Sequence, residues 1–205
     1  EACQLVVRAD SNIKSLDDLS GHTVSIGAEE SGTERNASEI LEFAGMPSSI
    51  VKTKNLDYID AAHQLETGDI DAFFCTAGLT TTIIEELSRE CEIRLISIDD
   101  SIIDKMLSTS DAYSRYTIPA GTYKGQDEEV STIGVTSVLV TSDSMSSDII
   151  KQMTAMLFEN AKELQYSTSL DLHLNEKFAI TNIPIPFHEG AVEYYEDNGL
   201  DVNAY

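Results

Sequence analysis

Two junctions in the sequence carry residue types suited to holding a small anion. The first is Gly27-Ala28-Glu29-Glu30-Ser31-Gly32-Thr33-Glu34, where a strand-like run gives way to a helical one. A chain that runs through Ser31, Gly32 and Thr33 into a helix presents unbonded backbone N–H groups, two hydroxyls and the positive end of a helix dipole at one point. That cradle is sized for a carboxylate or a phosphate. The competing reading is an ordinary helix cap, with Ser31 or Thr33 capping and Gly32 easing the turn. No Gly-Lys-Ser/Thr follows, so the junction is not a nucleotide-binding P-loop. The second junction is Cys75-Thr76-Ala77-Gly78-Leu79-Thr80-Thr81-Thr82. Small and hydroxylated residues at the C-terminal end of a parallel strand stand where open α/β sheets place ligands. Thr76, Ala77 and Gly78 are the candidates for a facing wall, again with a helix cap as the rival.

Catalytic patterns are weak. His22, His63, His173 and His188 are scattered and show neither His-Glu-x-x-His nor any paired spacing. No Gly-x-Ser-x-Gly occurs, and nothing beside Ser31 supplies a base. Asp17-Asp18, Asp99-Asp100 and Asp127-Glu128-Glu129 read as solvated loop charges rather than metal ligands. Cys3, Cys75 and Cys91 match no zinc or redox spacing, and Cys75 inside an apolar run reads as an inert buried thiol. A Cys3–Cys91 bridge is left open. The expectation is a non-enzyme without metal or cofactor.

The elements that must position these junctions alternate in type. Strands are expected at Leu5–Val7, His22–Ile26, Ile50–Thr53, Ile70–Cys75 and Ile93–Ile98. Between them lie helices to Ala44 (inward face Ala37, Ile40, Leu41, Ala44), over Asp57–Glu66 (Ile59, Ala62, Leu65 inward) and over Leu79–Arg89. Such alternation predicts βαβ units and a largely parallel sheet over residues 8–125. The second half differs. A helix near Ser101–Leu107 is followed by the Pro- and Gly-rich connection Tyr116–Gln126 and a strand over Thr132–Val140. A long helix Asp148–Leu164, capped by Ser144 or Ser146, puts Ile149, Met153, Met156, Leu157 and Ala161 on one face. Pro184-Ile185-Pro186 precedes a final helix over Gly190–Asn198, where packing is the expected role of Tyr194 and Tyr195.

Composition bounds the partners. The 205 residues hold 36 acidic and 13 basic side chains, a net charge of −23, with 41% hydrophobic residues. That apolar share supports a folded core. The charge excludes a nucleic-acid binder and docking to an anionic membrane surface. No apolar run approaches the roughly 20 residues of a spanning helix, so no membrane insertion is expected. The acidic surplus fits solubility outside the cytoplasm, in a salty or alkaline habitat.

An ordered set of motifs carries a resemblance. It comprises Leu5-Val6-Val7-Arg8-Ala9-Asp10 with Ile13–Gly21, Val24-Ser25-Ile26-Gly27 with Ser31-Gly32-Thr33-Glu34, Gly68–Phe73 with Gly78, Ile118–Tyr123, and Pro186-Phe187-His188 with Gly190-Ala191. Together they resemble the TAXI group of solute receptors of TRAP secondary transporters. The resemblance implies an α/β, type II periplasmic-binding-protein-like fold, with one complete parallel-sheet lobe plus a partial second lobe. Residues 8–125 would be ligand-binding lobe two, and 126–205 the hinge strand and C-terminal helices of an incomplete lobe one. It implies an extracytoplasmic receptor that binds a small organic acid or amino acid, glutamate- or dicarboxylate-like, and works with membrane-embedded transporter subunits. It also implies a preceding segment of roughly one hundred residues, the size of a small domain. Departures are Glu30 where the family has Gly, Glu189 where it has Pro, and the lack of an ammonium-gripping Asp at the second junction. Two other readings remain: a ligand-sensing domain of a regulatory protein on the same fold, and an enzyme on a two-lobed scaffold.

Overall fold

The computed structural model describes residues 1–167, 174–181 and 183–202. The chain divides into two compact units, Glu1–Val135 and Thr136–Tyr205. The strand at 130–135 belongs to the first unit because it pairs into its sheet.

The first unit is built on strands β1 (Ala2–Arg8), β2 (Thr23–Ser25), β3 (Lys52–Lys54), β4 (Ala72–Ala77), β5 (Ile93–Ile96), β6 (Tyr113–Ile118) and β7 (Val130–Val135). Its helices are α1 (Gly32–Phe43), α2 (Tyr58–Thr67), α3 (Thr82–Glu90) and α4 (Asp100–Thr109). The strands form one sheet in the order β3-β2-β4-β1-β7-β6, with β5 also paired to β1. β2 runs parallel to β3 and β4, as the alternation predicts. β1 runs antiparallel to β4, β5 and β7, and β6 antiparallel to β7. β2, β3, β4, β5 and β7 thus share one direction, and the sheet is parallel-rich with β1 inserted against the grain.

β1 is buried from Ala2 to Val7, with Gln4 its one polar residue in that span, because it is central and covered on both faces. Cys3, Leu5 and Val7 join one core cluster with Val24, Ile40, Phe74 and Ile103. Ala2 and Val6 join the other with Leu65, Phe73, Ile84 and Leu95. α1 buries Ala37, Ile40 and Leu41 as its spacing requires. α2 starts at Tyr58 and turns Ala61, Ala62 and Leu65 inward, which leaves Ile59 72% exposed rather than buried. The Pro- and Gly-rich stretch hides β6, whose last residue, Ile118, directly precedes Pro119. Asp18 is more than a solvated charge: its carboxylate accepts from the amides of Lys14 and Ser15, and the first of these bonds holds its pKa below the ordinary range.

The second unit holds α5 (Ser147–Glu159), α6 (Ala161–Tyr166), α7 (Glu176–Ala179) and α8 (Glu189–Asp197). The expected single helix over 148–164 is broken at Asn160, whose ψ of 13° leaves the helical range. Residues 136–140 lie beyond the end of β7, with Leu139 and Val140 exposed. α5 and α8 pack closely, since a Cβ on Gly190 would fall 2.1 Å from the Ser147 carbonyl oxygen. Phe158, Phe187, Tyr194 and Tyr195 form an aromatic cluster between them, so the tyrosine pair does pack. Ile149, Met153 and Met156 are exposed, and the buried position on α5 is Ile150. Among the described residues no helix is long and apolar enough to cross a membrane.

Candidate functional site

The first junction is a rigid loop. Gly27 has φ +101°, and a Cβ there would lie 2.8 Å from Thr33 Cβ, so only glycine fits. Ser31 is the N-cap of α1, its Oγ accepting from the Glu34 amide at 3.1 Å. The Glu34 carboxylate reaches back to accept from the Glu30 amide at 2.6 Å and from Asn55 Nδ2 at 2.8 Å. Asn55 also donates to the Gly27 carbonyl at 3.1 Å. This is the Ser-x-x-Glu capping pattern, with the glutamate returning one residue earlier than usual. Glu30 sits in the left-handed region at φ 61°, where an L side chain is disfavoured.

The cap does not use up the cradle. The Gly32 and Thr33 amides open α1, where helical geometry gives them no acceptor, and none bonds them among the described residues. The Ser31 hydroxyl accepts in the cap and keeps its own hydrogen. The Thr33 hydroxyl is committed instead. It lies 2.6 Å from Tyr58 OH and accepts from the Thr76 amide at 3.3 Å. Tyr58 OH donates to the Thr76 carbonyl at 2.9 Å, so its one hydrogen is spent and Thr33 must donate to Tyr58. Burial pushes the Tyr58 hydroxyl above its ordinary pKa, which keeps it a donor. Thr33 therefore fastens α1 and α2 to the end of β4.

Asn36 adds the next contact, donating from Nδ2 to Thr76 Oγ1 at 3.3 Å. Tyr113 OH lies 2.9 Å from the Glu39 carboxylate and 3.2 Å from Asn36 Oδ1, and its single hydrogen is shared between these two acceptors. Burial and the Glu39 carboxylate push the Tyr113 hydroxyl up to about 12. Thr33, Asn36 and Thr76 are each buried.

These residues surround one cavity of about 220 Å³, lined by Ser31, Gly32, Thr33 and Thr76 together with Asn36, Tyr58, Glu1 and Val135. The structure thus brings the first junction and the start of the second to one place. Ala77 and Gly78 lie past Thr76 at the end of β4 and are not among the lining residues. Glu30 faces an adjoining open groove with Glu34, Arg35 and Ser38, which shares Ser31 and Gly32 with the cavity. Asn36 and Tyr58 were not singled out from sequence, although each is polar on the inward stripe of its helix.

The remaining candidates have structural partners. His22 contacts Asp71 at 3.2 Å, His63 lies 3.7 Å from Glu66, and His188 caps α8 by accepting from the Gly190 amide at 3.1 Å. His173 lies outside the described residues. All three cysteines are free, and burial pushes the Cys3 and Cys75 thiols up to about 12. Among the described residues no group of His, Cys, Asp or Glu is arranged to hold a metal ion.

Residues 1–199 match the model of the NMT1-like family. The chain belongs to the NMT1-like family. Solved structures similar to this NMT1-like chain include the periplasmic aliphatic sulphonate binding protein SsuA from Escherichia coli. That match has 15% identity and a TM-score of 0.50, covering 97% of this chain and 48% of that one. The alkanesulfonate-binding protein SsuA from Xanthomonas axonopodis pv. citri, bound to MOPS, matches at 12% identity and a TM-score of 0.49, covering 97% and 51%. An ancestral arginine-binding protein bound to arginine matches at 18% identity and a TM-score of 0.41, covering 81% and 57%. The first of these matches gives the fold as that of periplasmic binding proteins, and this chain spans about half the length of that protein.

Proposed function

We propose that this chain is the ligand-holding part of an extracytoplasmic solute receptor of the TAXI type, serving membrane-embedded subunits of a TRAP secondary transporter. Its ligand is a small organic anion or amino acid, glutamate- or dicarboxylate-like. It acts by binding, with no catalytic step and no cofactor. The observation that carries the reading is the convergence of the two junctions on one cavity, with unbonded amides on one side and Thr76 on the other. In this reading the amides of Gly32 and Thr33 and the Ser31 hydroxyl take the carboxylate oxygens, and bonds to an ionised acceptor are the strong kind. Thr76 is the facing wall of the cavity, and Ala77 and Gly78 continue that wall past the end of β4 towards the rest of the ligand. Thr33 contributes its amide, since its hydroxyl is spent on Tyr58. Glu30 lines the adjoining groove rather than the cavity, but it does so beside Ser31 and Gly32, so its carboxylate opposes an anion in the cradle to an extent that salt screens.

The test is calorimetric titration of the full-length protein with L-glutamate, a dicarboxylate, a monocarboxylate and a short alkanesulfonate, the last because its oxygens offer similar acceptors. Saturable one-to-one binding of at least one of the carboxylates is expected. Silence from every acid would end the reading, and binding of the sulfonate alone would move it to another ligand class.

A further inference from the structure

The loop that follows Thr76 is held from the other face of the sheet by a closed ring of hydrogen bonds. Tyr123 OH donates to Gln4 Oε1 at 2.7 Å, and Gln4 Nε2 donates to Thr81 Oγ1 at 3.3 Å. Thr81 Oγ1 donates to the Gly78 carbonyl at 2.7 Å, and the Thr81 amide donates to Tyr123 OH at 3.2 Å. The directions are fixed by the two backbone groups. Tyr123 OH accepts from an amide, so its hydrogen goes to Gln4. Thr81 gives its hydrogen to a carbonyl, so its oxygen accepts from Gln4. Only a side chain with an acceptor and a donor on one planar group closes the ring. Gln4, Thr81 and Tyr123 are 1%, 8% and 3% exposed.

Thr81 stands at the N-cap of α3, yet its side chain makes no cap bond. It turns back to Gly78 instead. Tyr123 is in turn held by a self-closed loop: Gln126 accepts from the Tyr123 amide and donates to the carbonyls of Pro119 and Glu128. The motif Ile118–Tyr123 thereby acquires a purpose beyond a turn.

We propose that Gln4 and Tyr123 are positioning residues for the wall that follows β4, acting through Thr81 and Gly78 to fix residues 76–81. The inference rests on the reading of Thr76–Gly78 as a ligand wall. Thr76 is already fastened on the α1 face by Thr33 and Asn36, and the ring fastens the same segment from the α3 face. A fully satisfied buried polar ring specifies one geometry where apolar packing would tolerate several.

The experiment uses the full-length protein with Tyr123→Phe and, separately, Gln4→Glu. Amide hydrogen exchange is followed over residues 76–82 and over β1, and L-glutamate is the titrated probe, well below the unfolding temperature. Tyr123→Phe should speed exchange at Gly78–Thr81 while β1 stays protected, and weaken the probe about five- to tenfold, the worth of one buried hydrogen bond. Gln4→Glu, brought above the raised pKa that burial gives the new carboxyl, places an acceptor against Thr81 Oγ1 and should do the same. As pH falls the introduced carboxylate takes a proton and becomes a donor again, so exchange relative to wild type should return towards normal. A lowered Tm with unchanged exchange at 78–81 and unchanged affinity would overturn the proposal, since that is what support of the fold alone produces. If wild type ignores L-glutamate, that ligand assignment fails by itself, and the exchange measurement and its pH recovery still decide the ring.

Discussion

Replacing Glu30 by glycine should both stabilise the protein and tighten anion binding. Glu30 holds φ 61° because Glu34 pins its amide, and that bond is made by the backbone and survives the substitution. An L side chain in this region costs about 1–2 kcal/mol, which glycine avoids. Glycine's greater freedom in the unfolded chain returns about 0.5–1 kcal/mol of that. The net gain is about 0.5–1 kcal/mol, or about 1–4 °C in Tm for a chain of this size. Glu30→Ala supplies the control, because it removes the same charge and keeps the Cβ. Thermal unfolding of the three proteins side by side isolates the backbone contribution as the difference between Gly and Ala. Glu30→Gln isolates the charge: it should raise affinity for a carboxylate at low salt, with the gain fading as ionic strength rises. Equal Tm values for the Gly and Ala variants would refute the assignment of strain to position 30.

Three further outcomes follow from the geometry. Gly27→Ala forces a Cβ against Thr33 at a positive φ, so Tm should fall by several degrees and carboxylate binding should weaken, both read in one thermal-shift series with and without ligand. Alkylation at pH 8 should label Cys91, which is partly exposed, while Cys3 and Cys75 react only after denaturation, as peptide mapping would show. Tyr113 titrates near 12 when folded and near its ordinary 10 when unfolded, so the folded state holds the extra proton between these values. Its contribution is complete below about pH 10 and is lost as pH rises towards 12; Tyr113→Phe should flatten that alkaline decline in denaturant titrations.

Much of the site was legible because its signals are local. Ser31-Gly32-Thr33-Glu34 encodes a cap within four residues, and Gly27 marks a turn that no other residue makes. The inward stripe of α1 followed from its spacing. What escaped was set by distant partners. Asn36 and Tyr58 acquire their roles from Thr76, which lies 40 and 18 residues away in the chain, and nothing nearby announces either contact. The antiparallel insertion of β1 leaves no local trace, since a strand buried on both faces reads alike in either direction. β6 was masked by the Pro119 and Gly121 that end it. The apolar period of α5 was real, but the face that packs lies one position along, at Ile150 and Phe158.

The most direct measurement of the central claim compares wild type with Gly32→Leu in carboxylate titrations of the full-length protein. Gly32 lines the cavity at an ordinary backbone angle, and a Cβ there meets nothing within 4 Å, so leucine obstructs the cradle without straining the fold. Lost binding with Tm unchanged or slightly raised is the expected result. Undiminished binding by a folded Gly32→Leu protein would contradict the placement of the ligand at the start of α1.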